Sequence, residues 1–167
     1  MYRTAELAAV TIDEFRRGLE GLTADEALVR HPKADGTSMN AASWIVQHVA
    51  GHWANVRARV TGEEPLARNP SRDGTPPPYA EALTAFEAPT RDLGWLDAAS
   101  DDVMASSHRE LGGESVGTFL MRAVLHTWFH TGELNAVRQL LGHPEIAFVG
   151  PFDGRLGWVP ERGIEGR

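Results

Sequence analysis

The stretch Ser115-Val-Gly-Thr-Phe119-Leu-Met-Arg-Ala123-Val-Leu-His126-Thr-Trp-Phe-His130-Thr-Gly-Glu133-Leu-Asn-Ala-Val137-Arg-Gln-Leu140-Leu-Gly142 decides the fold. Phe119, Ala123, His126, His130, Glu133, Val137 and Leu140 follow one another at steps of four and three, which on a helix is a single stripe. Ser115 is a good N-terminal cap and Gly142 a left-handed stop, so the pattern predicts one long helix from Val116 to Leu141. Its stripe is apolar except in the middle, where His126, His130 and Glu133 replace hydrophobic residues. A buried polar side chain without a partner costs on the order of 1–3 kcal/mol. Three in a row therefore point to a shared partner. A divalent metal ion is the most economical one, because histidines four residues apart project in the same direction and can grip one ion.

A second pair at that spacing, His48 and His52, lies some 75 residues upstream. Seven histidines placed at random in 167 positions would give only about 0.3 such pairs. The surrounding residues predict another helix, beginning near Ser38 or Asn40 and reaching Val60, where Thr61-Gly62 stops it. Ala42, Ile45, Val49, Val56 and Val60 define its apolar face. His52 falls nearer the centre of that face, so periodicity alone slightly favours it, while His48 at the edge can also aim at a neighbouring helix; either completes a set of three imidazoles with His126 and His130. A three-histidine set leaves a coordination position for water or substrate, the mark of a catalytic rather than a structural site. Glu133 is read as a carboxylate that orients a histidine, or that pairs with Arg138, in preference to a direct ligand. His52 and Glu133 are the candidate general bases.

Working outward, Leu7, Val10, Ile12, Phe15, Leu19 and Leu22 predict a first helix from Thr4 to Leu22. Thr23 and Glu26 have the spacing of a capping box for a short turn to Leu28, and residues 31–37 read as a loop. A third helix is expected from Pro78 to Ala99, with a kink or break at Pro89 and Gly94. Residues 101–114 read as a connector, extended around Val103 to Leu111, and the tail from His143 as irregular. The expected fold is all-α, an antiparallel four-helix bundle with an irregular C-terminal tail. Residues 1–163 are expected to form one domain, with Ile164-Glu-Gly-Arg167 resembling a protease-recognition remnant.

Trp44, Trp53, Trp128 and Phe129 are expected to pack the core or wall a pocket. His31, His108 and His143 are expected in solvated loops, and Arg57 and Arg59 as a solvent-facing pair. A net charge of −7, with no basic stripe, argues against a nucleic-acid partner. There is no cysteine, so disulfides, thiolate ligands and cysteine nucleophiles are excluded. The first ten residues lack a basic-then-apolar leader pattern and no apolar run reaches membrane-span length, so a cytoplasmic location and no membrane partner are expected.

Ser43-Trp-Ile-Val-Gln-His48-Val-Ala, then His126-Thr-Trp-Phe-His130-Thr-Gly-Glu133 and Arg138-Gln-Leu-Leu-Gly142, together resemble the DinB/YfiT family over most of the chain. The resemblance implies a four-helix bundle, commonly a homodimer, that holds a divalent metal on three histidines. Nickel or zinc is the expected ion, with iron or manganese as further options. By this likeness His48, His126 and His130 are the ligands and His52 a flanking or substrate-side group. The family name refers to DNA-damage induction and implies no DNA binding. Relatives include transferases that use low-molecular-weight thiols such as bacillithiol or mycothiol, and maleylpyruvate isomerase. The implied activity is metal-assisted attack of an external thiol, or of water, on a small electrophile. The alternative is a non-catalytic metal-binding or stress-associated bundle, which a closed coordination shell would favour.

Overall fold

The computed structural model describes residues 4–64, 75–108 and 112–147. It is built from helices: α1 (Thr4–Leu19), a single 3-10 turn (Glu26–Leu28), α2 (Ala42–Thr61), α3 (Tyr79–Thr90), α4 (Gly94–Asp97), α5 (Asp101–Ala105) and α6 (Val116–Leu140). None of them is long and apolar enough to cross a membrane. The four long helices, α1, α2, α3 and α6, make the expected all-α bundle.

In α1, Ala8, Thr11, Ile12, Phe15 and Gly18 recur at helical spacing and are buried, which gives the helix one inward face. It stops at Leu19, three residues short of the expected end, because the chain turns at Gly21 with a positive φ of 77°. The side chain of Arg138, only 4% exposed, then takes the end carbonyls of α1, donating to Gly18 O at 3.1 Å and to Glu20 O. Those carbonyls have no partner within the helix, so a guanidinium from α6 caps α1 in place of water. Leu22 still packs in the core, beyond the helix.

The second helix starts at Ala42, later than expected. Its cap position is Ala41, with no side-chain cap. Neither Ser38 nor Asn40 caps it; Ser38 pairs with Pro32 in an isolated bridge and the Asn40 amide is engaged elsewhere. The far end behaves as expected, with Gly62 left-handed after Thr61. Pro89 is accommodated in the last turn of α3, and the break falls after Thr90, with Gly94–Asp97 as a separate turn of helix. Where an extended connector was expected, residues 101–105 are helical. The Ser100 hydroxyl caps them, accepting from the Val103 amide at 3.2 Å. Among the described residues there, Ser107 and Ser115 form a strand-like bridge. In α6 the expected cap is in place, Ser115 Oγ accepting from the Thr118 amide at 3.1 Å, and Gly142 has φ +89°. Leu140, expected on the inward stripe, is 56% exposed, and the adjacent Leu141 packs against the core instead. The tail beyond 147 and the four terminal residues lie outside the described residues.

Side-chain bonds fix the helix directions. Trp128 Nε1 donates to Thr11 Oγ1 at 3.0 Å and Arg138 reaches Gly18, so α1 and α6 run parallel. Trp44 lies beside His130 while Arg59 lies over Phe119, so α2 and α6 are antiparallel. Ser43 Oγ donates to Pro77 O just before α3, and Arg57 donates to Ala88 O near its end, so α2 and α3 run the same way. The order of the four long helices is therefore up, down, down, up, as in bundles with a long connection, here between α2 and α3. Fully buried Trp53 sits at its centre, its indole N–H donating to Thr127 Oγ1 at 3.0 Å. Thr127 in turn donates to Ala123 O, so the polar end of the indole is satisfied inside the core.

Candidate metal centre

Each element of the site is positioned by packing already described. His126 and His130 stand one turn apart on the buried side of α6, and His48 faces them from the antiparallel α2. Trp44, one turn before His48, stacks on its ring at 4.6 Å and 16° and presents an edge to His130. That indole is 3% exposed, so its packing holds the His48 ring in place.

Three ring nitrogens converge. His48 Nε2 lies 2.8 Å from His126 Nε2, which lies 3.1 Å from His130 Nε2. One ring nitrogen from each of the three histidines falls within 4.8 Å of the others. His130 is fully buried, and its Nδ1 lies 2.7 Å from Glu133 Oε2. A carboxylate can only accept there, so Nδ1 carries the proton and Nε2 presents its lone pair to the cluster. Glu133 is itself held, Oε1 accepting from Asn40 Nδ2 at 2.8 Å.

This donor set fits a divalent cation. Imidazole nitrogens about 2.0–2.1 Å from one ion stand about 2.9 Å apart at right angles and about 3.4 Å apart in a tetrahedron. The two observed contacts, 2.8 and 3.1 Å, bracket the lower of those edges. A proton on His126 Nε2 can bridge to only one of its two neighbours, so lone pairs facing each other call for a positive charge between them. The carboxylate behind His130 fixes the tautomer a metal ligand needs. His48, His126 and His130 are thus placed to hold a metal ion.

His52 is close by without being part of that cluster. Its ring centroid is 4.9 Å from His48 and 4.4 Å from His126. Burial above all holds its imidazole below the ordinary 6.5, and the nearby His130 and Arg122 push the same way. Of the two histidines left open in the sequence, His48 is the one whose ring nitrogen groups with those of His126 and His130. The apolar face of α2 serves two neighbours, α3 and α6, so its centre points between them and does not mark the direction of α6. Glu133 meets His130 and Asn40, not Arg138, whose guanidinium is used on α1.

Asn40 was missed by sequence reading. It lies in a loop 93 residues from Glu133, and no periodicity ties the two together. Phe129, expected in the core or a pocket wall, lines a cavity with Asn40 and Glu133; it is 64% exposed and its ring lies 5.1 Å from that of His130. Of the histidines expected in solvated loops, His143 lies against Glu26 at 3.1 Å and His108 near Ser106 at 3.5 Å. Arg57 is partly exposed as expected and bonds Ala88 O and Glu63, whereas Arg59 lies over the Phe119 ring at 5.5 Å.

Compared with known proteins, residues 8–134 match the family model of the DinB superfamily. No curated protein matches the chain, and no solved structure does.

Proposed function

This chain belongs to the DinB superfamily, and from that premise we propose that it is a divalent-metal-dependent enzyme acting on a small electrophilic molecule. The single observation that carries the reading is the convergence of His48, His126 and His130 with a proton fixed on the far side of His130 by Glu133. When bound, a divalent cation (zinc or nickel in the first instance) would supply the acidity that makes a thiol or water nucleophilic near neutral pH. The chain has no cysteine, so a thiol would come from outside as a low-molecular-weight compound. Transferase chemistry follows with a thiol and hydrolysis with water; the superfamily likeness favours the thiol.

The chain's own groups take the remaining roles. Three imidazoles would hold the ion, and Glu133 keeps the His130 proton on Nδ1 so that the Nε2 lone pair is left for it. Asn40 keeps Glu133 from swinging away. His52, with its ring against His126, is the candidate acceptor for the proton that the nucleophile gives up. Among the described residues three histidines converge, with Glu133 engaged behind His130, and a three-donor set supports the catalytic reading over a closed, purely structural site.

The test is elemental analysis of protein purified without a nickel column. One ion per chain is expected, and His130→Ala should lose it. Retention of full stoichiometry by that variant would refute the ligand set. A screen of thiols against electrophiles on the loaded protein then separates transferase from hydrolase. No turnover with any pair, on a protein that holds its metal, would leave the non-catalytic metal-binding reading.

A further inference from the structure

We propose that the cavity between residues 30–40 and α6 binds an uncharged aromatic molecule whose ring stacks on Phe129. The cavity's role rests on the catalytic reading above and gives that reading a substrate class. The cavity has a volume of about 630 Å³, the size of a small-molecule site. Its walls include Arg30, Lys33, Met39, Asn40, Phe129 and Glu133. Two of these also touch the histidines. Glu133 Oε2 lies 2.7 Å from His130 Nδ1, and the Phe129 ring is 5.1 Å from that of His130 and 6.2 Å from that of His126. A ligand held on Phe129 is therefore one ring away from two of the three converging imidazoles.

Charge argues against an ionic ligand. Arg30 and Lys33 bring two cations to the wall, and Asp35 and Glu133 set two carboxylates against them. Lys33 Nζ lies 3.9 Å from Asp35 Oδ2. Arg30 is engaged as well, its Nε donating to Met39 O at 3.3 Å, and it has a further partner. Glu133 holds its charge between two neutral donors, Asn40 Nδ2 and His130 Nδ1. No net charge is left to favour either sign. An anion or a cation entering the cavity would shed hydration without meeting a full counter-charge.

What the wall does offer is a ring. Phe129 is 64% exposed, and among the described residues no other aromatic side chain is so open: Phe15, Trp44, Trp53 and Phe86 are buried, and Trp95 and Trp128 are partly packed against the core. A phenyl ring left in water forgoes the stabilisation that burial gives. Phe129 is also held in a fixed attitude. It lies within 16° of parallel to the His126 ring and meets His130 nearly edge-on, at 80°. A flat ring laid on it would extend a layer of rings that already reaches the histidines. Offset-stacked rings gain stability beyond the area they bury, so the surface selects an aromatic ligand over an equally apolar saturated one. Met39, an adaptable apolar side chain on the same wall, suits the edge of such a ring. Ser38 and Asn40 add a hydroxyl and an amide to the lining, which suit a neutral hydrogen-bonding substituent.

The experiment is a titration of isotope-labelled, zinc-loaded protein with 3-phenylpropanamide and with 3-cyclohexylpropanamide, read by amide chemical shifts. The phenyl amide should move signals from residues 30–40 and from Phe129, and bind about fivefold tighter than the cyclohexyl amide. Phe129→Leu should weaken the phenyl amide about fivefold, erase its advantage over the cyclohexyl amide and keep the zinc stoichiometry; Phe129→Tyr should retain that advantage. On chelator-treated protein, where a carboxylate has no zinc to bind, 3-phenylpropanoate and 3-phenylpropan-1-amine should bind no tighter than the phenyl amide. Equal binding of the phenyl and cyclohexyl amides, or a Phe129→Leu protein that binds the phenyl amide as wild type does, would overturn the proposal. So would an acid or amine that binds tighter than the amide, or shifts confined to the groove between α2 and α3 around Trp95. A chain that takes up no metal but still prefers the phenyl amide through Phe129 would sink the catalytic reading and spare the cavity. A metal-loaded chain without that preference would do the opposite.

Discussion

At the scale of single residues, the site depends on what stands behind His130. This ring is fully buried, and its two nitrogens have different tasks, Nδ1 donating to Glu133 and Nε2 facing the other histidines. Removing the carboxylate while keeping its shape tests that division. Glu133→Gln can still accept from Nδ1 through its one oxygen, but as a neutral amide it raises the basicity of the ring less, and its NH2 then faces the Asn40 NH2 donor to donor. The expected result is a metal affinity 10–100-fold lower at unchanged stoichiometry, the range for partners that orient a ligand. Competition with a chromophoric chelator measures it directly. Wild-type affinity in that variant would mean that packing by Trp44 and the helix, not the carboxylate, orients the ring.

At the scale of elements, α6 could be read from its sequence almost complete, because a single face is buried and both ends carry unambiguous signals in Ser115 and Gly142. The second helix could not be read so fully. Its buried set runs from Ala42 to Ala58 around more than one face, so the pattern located the helix but leaned toward His52, whereas His48 is the one grouped with His126 and His130. Asn40 looked like a cap and became a partner of Glu133, a choice made by tertiary contact alone. The short turn Glu26–Leu28 was legible because its chemistry is local. The Thr23 amide donates to Glu26 Oε2 at 2.8 Å and the Glu26 amide to Thr23 Oγ1 at 3.3 Å, a reciprocal capping box. Those bonds, first the Thr23 amide and then its hydroxyl, hold the Glu26 carboxyl below its ordinary 4.5, and His143 adds to them. A depressed carboxyl pKa stabilises the fold above the unfolded value and ceases to do so as pH falls through the folded one. The melting-temperature gap between wild type and Glu26→Ala should therefore be constant above pH 4.5 and close below it. A gap that persists into strong acid would show that the side chain acts by packing rather than by charge.

At the scale of the whole molecule, the up, down, down, up order brings α2 against α6 although His48 and His126 are 78 residues apart. The rings meet only in the folded bundle, so an ion held by them binds the native state and not the unfolded chain. Binding of that kind adds about 4 kcal/mol to stability at a thousandfold excess over the dissociation constant. For a chain of 167 residues each kcal/mol moves the midpoint by about 2–4 °C. Stripping the ion with a chelator should thus lower the melting temperature by roughly 10 °C. The same treatment should leave His48→Ala unmoved, since that variant lacks the clasp between the two helices. Because the fall scales with the logarithm of ion concentration, a titration by scanning calorimetry gives the affinity as well as the stabilisation. A wild-type midpoint that is indifferent both to chelator and to added zinc would mean that the bundle's apolar core, centred on Trp53, joins α2 to α6 without help from a metal.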